Sequence, residues 1–174
     1  MLKVPNTLFY NDEIVCGYKG SEEKLFMYSR WPLLFVDVPY GRDKLKGTSF
    51  LNHAEADLVR DLTEYFLKIF SWSQERETQD QTGLPIQKFD KHSITVITPY
   101  NAQKSLIADS YSDLDIEDQV LSIDSSQGRE FDIVIVSMVR TSNSNFIKDK
   151  NRINVGLTRA KHGLVIVGKK SALI

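Results

Sequence analysis

The chain has 174 residues, with 22 Lys and Arg against 23 Asp and Glu, so its net charge of −1 creates no overall basic field for a polyanion. Its 41% hydrophobic and 26% charged residues are typical of a globular protein with one sizeable core. No apolar run approaches the roughly 20 residues that span a bilayer, no signal peptide is evident, and the single cysteine, Cys16, excludes an internal disulfide, so we expect an intracellular protein without a membrane partner.

The N-terminal part of the chain is predicted to form an arm, a strand and a helix. Residues 1–31 show little periodicity and are predicted to be an N-terminal arm. The apolar run at 32–38 predicts a strand. The segment 49–70 predicts a helix, because Asn52 and Glu55 have the spacing of a capping box and apolar residues then recur at helical spacing.

Strands and helices alternate through the rest of the chain. Residues 71–92 are polar and aperiodic, which predicts a surface loop or insertion. The segments beyond it predict strands at 93–98, 120–124, 132–139 and 163–168, and helices at about 102–110 and 151–161. Near-continuous apolar strands are typical of a parallel sheet that is buried on both faces. The alternation therefore predicts a doubly wound α/β domain over 32–174, mainly parallel, with helices on both faces.

Charge is distributed unevenly along the chain. Residues 138–174 contain eight Lys or Arg and one acid, whereas residues 109–118 contain five acids and no base. On charge alone, the basic segment is best explained as a solvated face.

Polar loops follow three of the predicted strands, at 99–103, 125–130 and 140–145. Ligands of doubly wound sheets bind at the carboxyl ends of the strands. The amide, hydroxyl and guanidinium groups of these loops suit phosphates and sugars. The three loops together therefore predict one composite binding site.

One apparent phosphate-binding motif is accidental. Residues 163–169 match GxxxxGK, but Lys170 stands where a P-loop has the Ser or Thr that binds magnesium. The four intervening residues are predicted to be a core strand, whereas a P-loop is a turn. No other such motif exists, and the three His residues lack metal-ligand spacing. We therefore predict no metal site and no independent ATP–magnesium site.

Three segments carry a resemblance to a known family. ITVITPYNAQ, VLSIDSSQGREFDIVIVSMVRTS and NRINVGLTRAKHGLVIVG resemble motifs IV, V and VI of superfamily 1 helicases. The nearest group is typified by the up-frameshift helicase of nonsense-mediated mRNA decay and by senataxin. The resemblance spans most of residues 5–170 and covers only the second, C-terminal RecA-like lobe. It implies that ATP and Mg²⁺ are held mainly by an N-terminal RecA-like lobe, which would be a partner of this chain.

The resemblance implies a catalytic role for Arg159. In these helicases ATP binds between the two lobes, and a motif VI arginine reaches its γ-phosphate; Arg159 matches this arginine finger. Such a finger contributes ~10³–10⁵ in rate, and lysine lacks its planar fork of donors. If residues 151–161 are helical, Arg152 and Arg159 share one face toward the cleft, and Gly156 between them allows close approach of the other lobe.

The resemblance also implies contacts with the nucleotide and with a nucleic-acid strand. Glu130 matches a carboxylate that binds the ribose, and Gly128 is expected to adopt a backbone conformation that other residues resist. The sequence departs from the pattern of this group at Lys104, where some members have arginine, and at Asn151, where a second arginine is common. The implied nucleotide-binding residues are Tyr100, Gln103, Gly128, Glu130 and Arg152. The implied nucleic-acid contacts are Thr98, Ser125, Ser126, Gln127, Arg129, Arg140 and Thr141.

Two functions remain open at this stage. In the first, the chain is the second lobe of an ATP-dependent helicase acting on single-stranded RNA or DNA, and it is inactive without the first lobe. The alternative is a non-catalytic RecA-like module that binds nucleic acid or a protein. Arg159, Gln127 and Glu130 favour the first, because a binding module has no use for an arginine finger. The missing P-loop favours the second if the chain is complete.

Overall fold

The computed structural model describes Glu13 and residues 33–74, 89–142 and 149–172. The rest of the predicted N-terminal arm and residues 75–88 of the predicted loop lie outside the described residues. The strands are β1 (Leu33–Asp37), β2 (Lys44–Lys46), β3 (Ser49–Leu51), β4 (Ile94–Thr98), β5 (Val120–Ser122), β6 (Phe131–Ser137) and β7 (Ala160–Gly168). The helices are α1 (His53–Gln74), α2 (Asn101–Ser110) and α3 (Lys150–Thr158). Within these ranges, no helix has the length and apolar character needed to span a membrane.

Five strands form one parallel sheet in the order β1-β7-β6-β4-β5. All five residues of β4 are buried, and so are the last five of β6. This burial on both faces explains why these strands are near-continuous apolar runs. The predicted α/β class is confirmed.

Helices cover both faces of the sheet, as predicted. On one face, Ala56 of α1 and Ile107 of α2 pack in a core with Val96. On the other face, Ile153 of α3 packs against the cluster that contains Ile97. Val96 and Ile97 are neighbours on β4 and serve opposite cores, because successive side chains of a strand point to opposite faces.

Helix α1 begins at the predicted cap but ends later than predicted. The Glu55 N–H donates to Asn52 Oδ1 at 3.3 Å, which satisfies one free donor of the first turn. The reciprocal bond of a capping box is not formed, because the Asn52 N–H donates instead to a side chain of α2. The helix continues to Gln74, four residues into the segment 71–92. Its last turns are held by buried Phe70, whose ring packs on another buried ring.

The boundary between α3 and β7 also differs from the prediction. The helix ends at Thr158, so Ala160 belongs to the strand. Strand pairing decides this boundary, because Ala160 lies opposite Phe131 in the parallel ladder and the Phe131 N–H donates to the Arg159 carbonyl at 2.9 Å. Strand β7 contains the GxxxxGK match, so the prediction that this match is a core strand is confirmed.

An antiparallel hairpin of β2 and β3, which the sequence analysis missed, lies outside the main sheet. Its turn contains Gly47 with φ +62°, a conformation that favours glycine. The available signal was Gly47 itself, since glycine is the usual residue of a hairpin turn. Ser49 Oγ accepts a hydrogen bond from the Ala102 N–H at 3.1 Å. The hairpin is thereby attached to the first turn of α2, where β4 ends.

Candidate functional site

The loops that follow β4, β5 and β6 lie at one edge of the sheet, as predicted. We define this carboxyl edge as residues 99–101, 123–126 and 138–142. In the sheet, β4 lies between β6 and β5, and all three strands are parallel. The three loops therefore emerge side by side, with 127–130 continuing from the β5 loop toward the start of β6.

Helix α3 runs alongside the loop 123–130 and is joined to it at both ends. Near the helix start, the guanidinium of Arg152 makes two bonds to the Asp124 carboxylate, Nη2 to Oδ2 at 2.6 Å and Nε to Oδ1 at 3.3 Å. Just beyond the helix end, Arg159 Nη1 donates to the Arg129 carbonyl at 2.9 Å. The two arginines thus meet the same loop at opposite ends of it, and that they share one face toward a cleft stays a prediction, since Arg159 lies beyond the helix end.

Arg159 is held by neutral groups. Its Nε donates to the Val155 carbonyl and its Nη2 to Thr158 Oγ1, both at 3.2 Å, in addition to the bond to Arg129. Among the residues that the structure describes, every ion pair involves other groups. The side chain is half-buried. Its position is therefore fixed, while within the described part of the chain its positive charge is not compensated by a carboxylate.

Two glycines of this region differ in what they do. Gly128 has φ +74°, and a Cβ added there would meet nothing within 4 Å. The expectation of an unusual backbone conformation at Gly128 is therefore confirmed, and the reason is φ rather than space. Gly156 is buried, and a Cβ there would lie 3.7 Å from Ile123 Cδ1. The prediction that Gly156 faces a neighbouring lobe is wrong, because it faces the protein's own β5 loop.

The tip of the loop 123–130 is the accessible part of the site. Gln127, Gly128, Arg129 and Glu130 are all exposed. The Arg129 guanidinium carbon lies 5.0 Å from the centre of the Phe131 ring, within cation–π range. These side chains are open to a ligand, and their contacts with nucleotide or nucleic acid stay predictions.

The segment after β4 is largely interior. Gln103 is fully buried; its Oε1 accepts from the Asn52 N–H at 2.7 Å, and its Nε2 donates to the Asn52 carbonyl and to Ser137 Oγ, both at 3.1 Å. Thr98 is also fully buried, and its hydroxyl has no hydrogen-bond partner among the described residues. Tyr100 is half-buried. Of the three residues predicted here, only Tyr100 therefore reaches the carboxyl edge, and the direct ligand contacts expected of Gln103 and Thr98 do not fit this geometry.

The two serines after β5 stabilise their own turn. Ser125 Oγ accepts from the Ser122 N–H at 2.9 Å, and Ser126 Oγ donates to the Ile123 carbonyl at 2.7 Å. Ser126 is fully buried, whereas Ser125 is exposed. A ligand can therefore reach Ser125 but not the hydroxyl of Ser126.

Arg140 and Thr141 are engaged by the hairpin. Arg140 Nε lies 2.9 Å from Asp43 Oδ2, and its guanidinium carbon lies 3.8 Å from the centre of the Phe50 ring. Both the N–H and the hydroxyl of Thr141 bond to Asp43 Oδ1. Burial alone would raise the pKa of Asp43, but the Thr141 bonds and the Arg140 charge outweigh it and lower the pKa. The two side chains expected to contact phosphates thus attach the hairpin to the sheet.

A buried polar network at the end of β6, where the segment 138–142 begins, was missed by sequence reasoning. Glu55 is 0% exposed; its Oε2 accepts from Ser137 Oγ and from the Val139 N–H, both at 2.8 Å, and its Oε1 accepts from Asn52 Nδ2 at 3.2 Å. Burial raises the pKa of Glu55 to about 7, although the bonds from Val139 and Ser137 oppose the rise. The sequence indicated only a helix cap, because the partners, Ser137 at the end of β6 and Val139 just beyond it, are 82 and 84 residues away.

Val139 holds a strained turn at the end of β6. Its φ is +70°, and the Arg140 N–H donates to the Met138 carbonyl at 2.8 Å, which closes a three-residue γ-turn. A β-branched residue in this conformation costs on the order of 1–3 kcal/mol. Glu55 binds the Val139 N–H, and Asn52 Nδ2 binds its carbonyl at 3.1 Å. The turn ends β6 earlier than predicted and directs Arg140 toward the hairpin.

Comparison with known proteins gives matches over nearly the whole chain. Residues 1–171 match the family model described as an AAA domain. The chain is 32% identical over 185 residues to the regulator of nonsense transcripts 1 homolog of Drosophila melanogaster, covering 97% of this chain and 14% of that protein. It is 34% identical over 188 residues to the ATP-dependent helicase NAM7 of Saccharomyces cerevisiae, covering 97% and 17%.

A more distant match is an uncharacterized ATP-dependent helicase of Methanocaldococcus jannaschii. It is 27% identical over 188 residues, and the alignment covers 99% of this chain and 25% of that protein. The chain therefore spans between 14% and 25% of the length of these three relatives.

Proposed function

The chain belongs to the AAA domain family, whose model matches residues 1–171, and from this premise we propose that it is the second, C-terminal RecA-like lobe of an ATP-dependent helicase. The lobe would extend over 32–174, act on single-stranded RNA or DNA, and require an N-terminal RecA-like lobe. The parallel sheet and the similarity to ATP-dependent helicases over 97% and 99% of the chain support this proposal.

The surroundings of Arg159 carry the proposal. An arginine finger must be held in place before the reaction, and its charge must remain available for the phosphate. Arg159 meets both conditions within the described residues, because carbonyl and hydroxyl groups bind its guanidinium. Arg152 does not, because Asp124 already neutralises it. The γ-phosphate of ATP, bound by the N-terminal lobe, would supply the anion that Arg159 lacks here.

Other residues of the loop 123–130 would complete the lobe's share of the site. Glu130 is exposed and would accept a hydrogen bond from a ribose hydroxyl, and the left-handed turn at Gly128 would present it. Gln127 and Arg129 would contact the nucleic-acid strand. Mg²⁺ neutralises phosphate charge in such enzymes, and we assign it, together with the bound phosphates of ATP, to the N-terminal lobe.

The test is ATP turnover by this chain joined to an N-terminal RecA-like lobe. Arg159→Lys should lower kcat by at least ~10²-fold, because lysine supplies charge without the planar fork that matches the transition state. Affinity for single-stranded RNA should stay close to that of the wild type. Phosphate release under saturating ATP and RNA measures kcat, and thermal melts check the fold.

Arg152→Lys is the matched control, since Arg152 meets the same loop from the start of the helix but is paired with Asp124. It should cost much less activity. Near-normal turnover of Arg159→Lys, or equal losses in both variants, would exclude the finger and make Arg159 a structural arginine.

A further inference from the structure

The hairpin of β2 and β3 presents three cations that the proposed function does not use. Arg42, Lys44 and Lys46 are exposed, and we call them the hairpin cations. None of them takes part in an ion pair within the described ranges. The acid between them in sequence, Asp43, is neutralised by Arg140. A positive surface thus exists locally in a chain whose net charge is −1.

This surface is held firmly against the carboxyl edge. Asp43 joins the start of the hairpin to Arg140 and Thr141, which follow β6. The Phe50 ring of β3 contacts two groups that follow the central strands. The Arg140 guanidinium carbon lies 3.8 Å from the centre of this ring, and the Tyr100 ring forms a T-shaped pair with it, with the two ring centres 5.6 Å apart. The hairpin is therefore anchored to the ends of both β4 and β6, the strands at the centre of the candidate site.

The strand register places two of the cations together. Lys44 and Lys46 are two residues apart on β2, so their side chains leave the same face. β3 packs against α2, which leaves β2 as the outer strand. Leu45, between the lysines, is 67% exposed, and the nearby Tyr40 is 72% exposed.

We propose that the hairpin cations bind the backbone phosphates of single-stranded nucleic acid. The assignment rests on the proposed helicase lobe for its ligand. Arg140, which was expected to contact phosphates, is instead paired with Asp43 and packed on Phe50. The exposed hairpin cations would therefore make the phosphate contacts that Arg140 cannot make. Proteins bind single strands without reading sequence through a combination of cations and exposed aromatic rings, and the exposed Tyr40 precedes these cations in the chain.

The test compares Lys44→Gln/Lys46→Gln with Lys68→Gln/Lys161→Gln, two exposed lysines away from the carboxyl edge. Fluorescence anisotropy measures binding of a labelled oligouridylate to the 174-residue chain over a range of salt concentrations. The hairpin variant should bind about 10–30-fold more weakly near 0.1 M salt, and its slope of log K against log salt should be shallower by about 1.4. The control variant should bind like the wild type.

The outcomes separate this inference from the proposed function. If the wild type binds RNA and the hairpin variant binds equally well, the hairpin assignment is overturned while the helicase lobe stands. Equal weakening in both variants would also overturn it, because it would indicate a general charge effect. If the wild type binds no oligonucleotide at all, the hairpin assignment falls together with the nucleic-acid role of the lobe, whereas the Arg159 test of ATP turnover is unaffected. Tyr40→Ala should weaken binding without changing the salt slope, since stacking releases no counterions.

Discussion

At the scale of single residues, Glu55 shows how burial couples a carboxyl group to stability. It is enclosed by Asn52, Ser137 and the backbone of Val139, and among the charged groups Asp43 further raises its pKa. The folded chain therefore binds this proton more tightly than the unfolded chain does. The contribution of Glu55 to the free energy of unfolding must decrease as the pH rises from 4.5 to about 7.

Glu55→Gln should remove this pH dependence, because an amide does not titrate. Relative to the variant, the wild type should lose up to about 3 kcal/mol of unfolding free energy between pH 5 and pH 8. Urea titrations of both proteins at four pH values in this range measure the difference. If the unfolding free energies of the two proteins change with pH in parallel, the pKa of the Glu55 carboxyl is not raised in the folded chain.

At the scale of elements, the loop 123–130 and helix α3 each contain a glycine, and the two glycines are present for different reasons. Gly128 is required by its backbone, since φ is +74° and the space around it is open. Gly156 lies in a regular helix with room for a methyl group against Ile123. Glycine weakens a helix interior relative to alanine, so the two positions should respond in opposite directions.

Gly128→Ala should destabilise the chain by about 1–2 kcal/mol, the cost of a left-handed alanine. Gly156→Ala should stabilise it by up to about 1 kcal/mol through helix propensity. The midpoints and slopes of urea unfolding curves give both values, and each variant serves as the control for the other. A loss of stability in Gly156→Ala as large as that in Gly128→Ala would contradict the assigned geometry.

At the scale of the whole molecule, the sequence contains no GxxxxGK motif that is followed by Ser or Thr. Its one GxxxxGK match, at 163–169, lies almost wholly in β7, where Leu164, Val165 and Val167 are buried. Backbone N–H groups that are paired in a sheet are not free to bind phosphates. Under the proposed function, the lobe would offer Arg159 to a nucleotide that the N-terminal lobe holds.

The isolated 174-residue chain should accordingly show no ATPase activity above background, with or without saturating single-stranded RNA. Steady-state phosphate release measures this, and Arg159→Ala is the control for a contaminating ATPase. Turnover by the wild type that disappears in Arg159→Ala would mean that the lobe is sufficient for catalysis, contrary to the two-lobe proposal.

Local patterns predicted much of the fold and part of the site. The apolar runs identified β4, β6 and β7, and helical periodicity identified α1. A strand that is buried on both faces is a continuous apolar run, and a helix that is buried on one face has apolar residues at helical spacing, so both can be recognised within a short stretch of sequence. The glycine at 128 was also correctly singled out. The hairpin was missed because β2 and β3 have only three residues each, too few for a period to stand out.

By itself, the sequence determined the α/β class, the order of most elements and which loops meet at one edge of the sheet, since periodicity, caps and strand ends are local properties. Only the tertiary structure decided which of the polar side chains in these loops are accessible to a ligand. Thr141 is bound by Asp43 at a separation of 98 residues, and Glu55 by Val139 at 84. A polar group that is removed from water needs a hydrogen-bond partner, and the fold can supply that partner from a distant part of the sequence. A local sequence pattern therefore does not predict which residue the partner is.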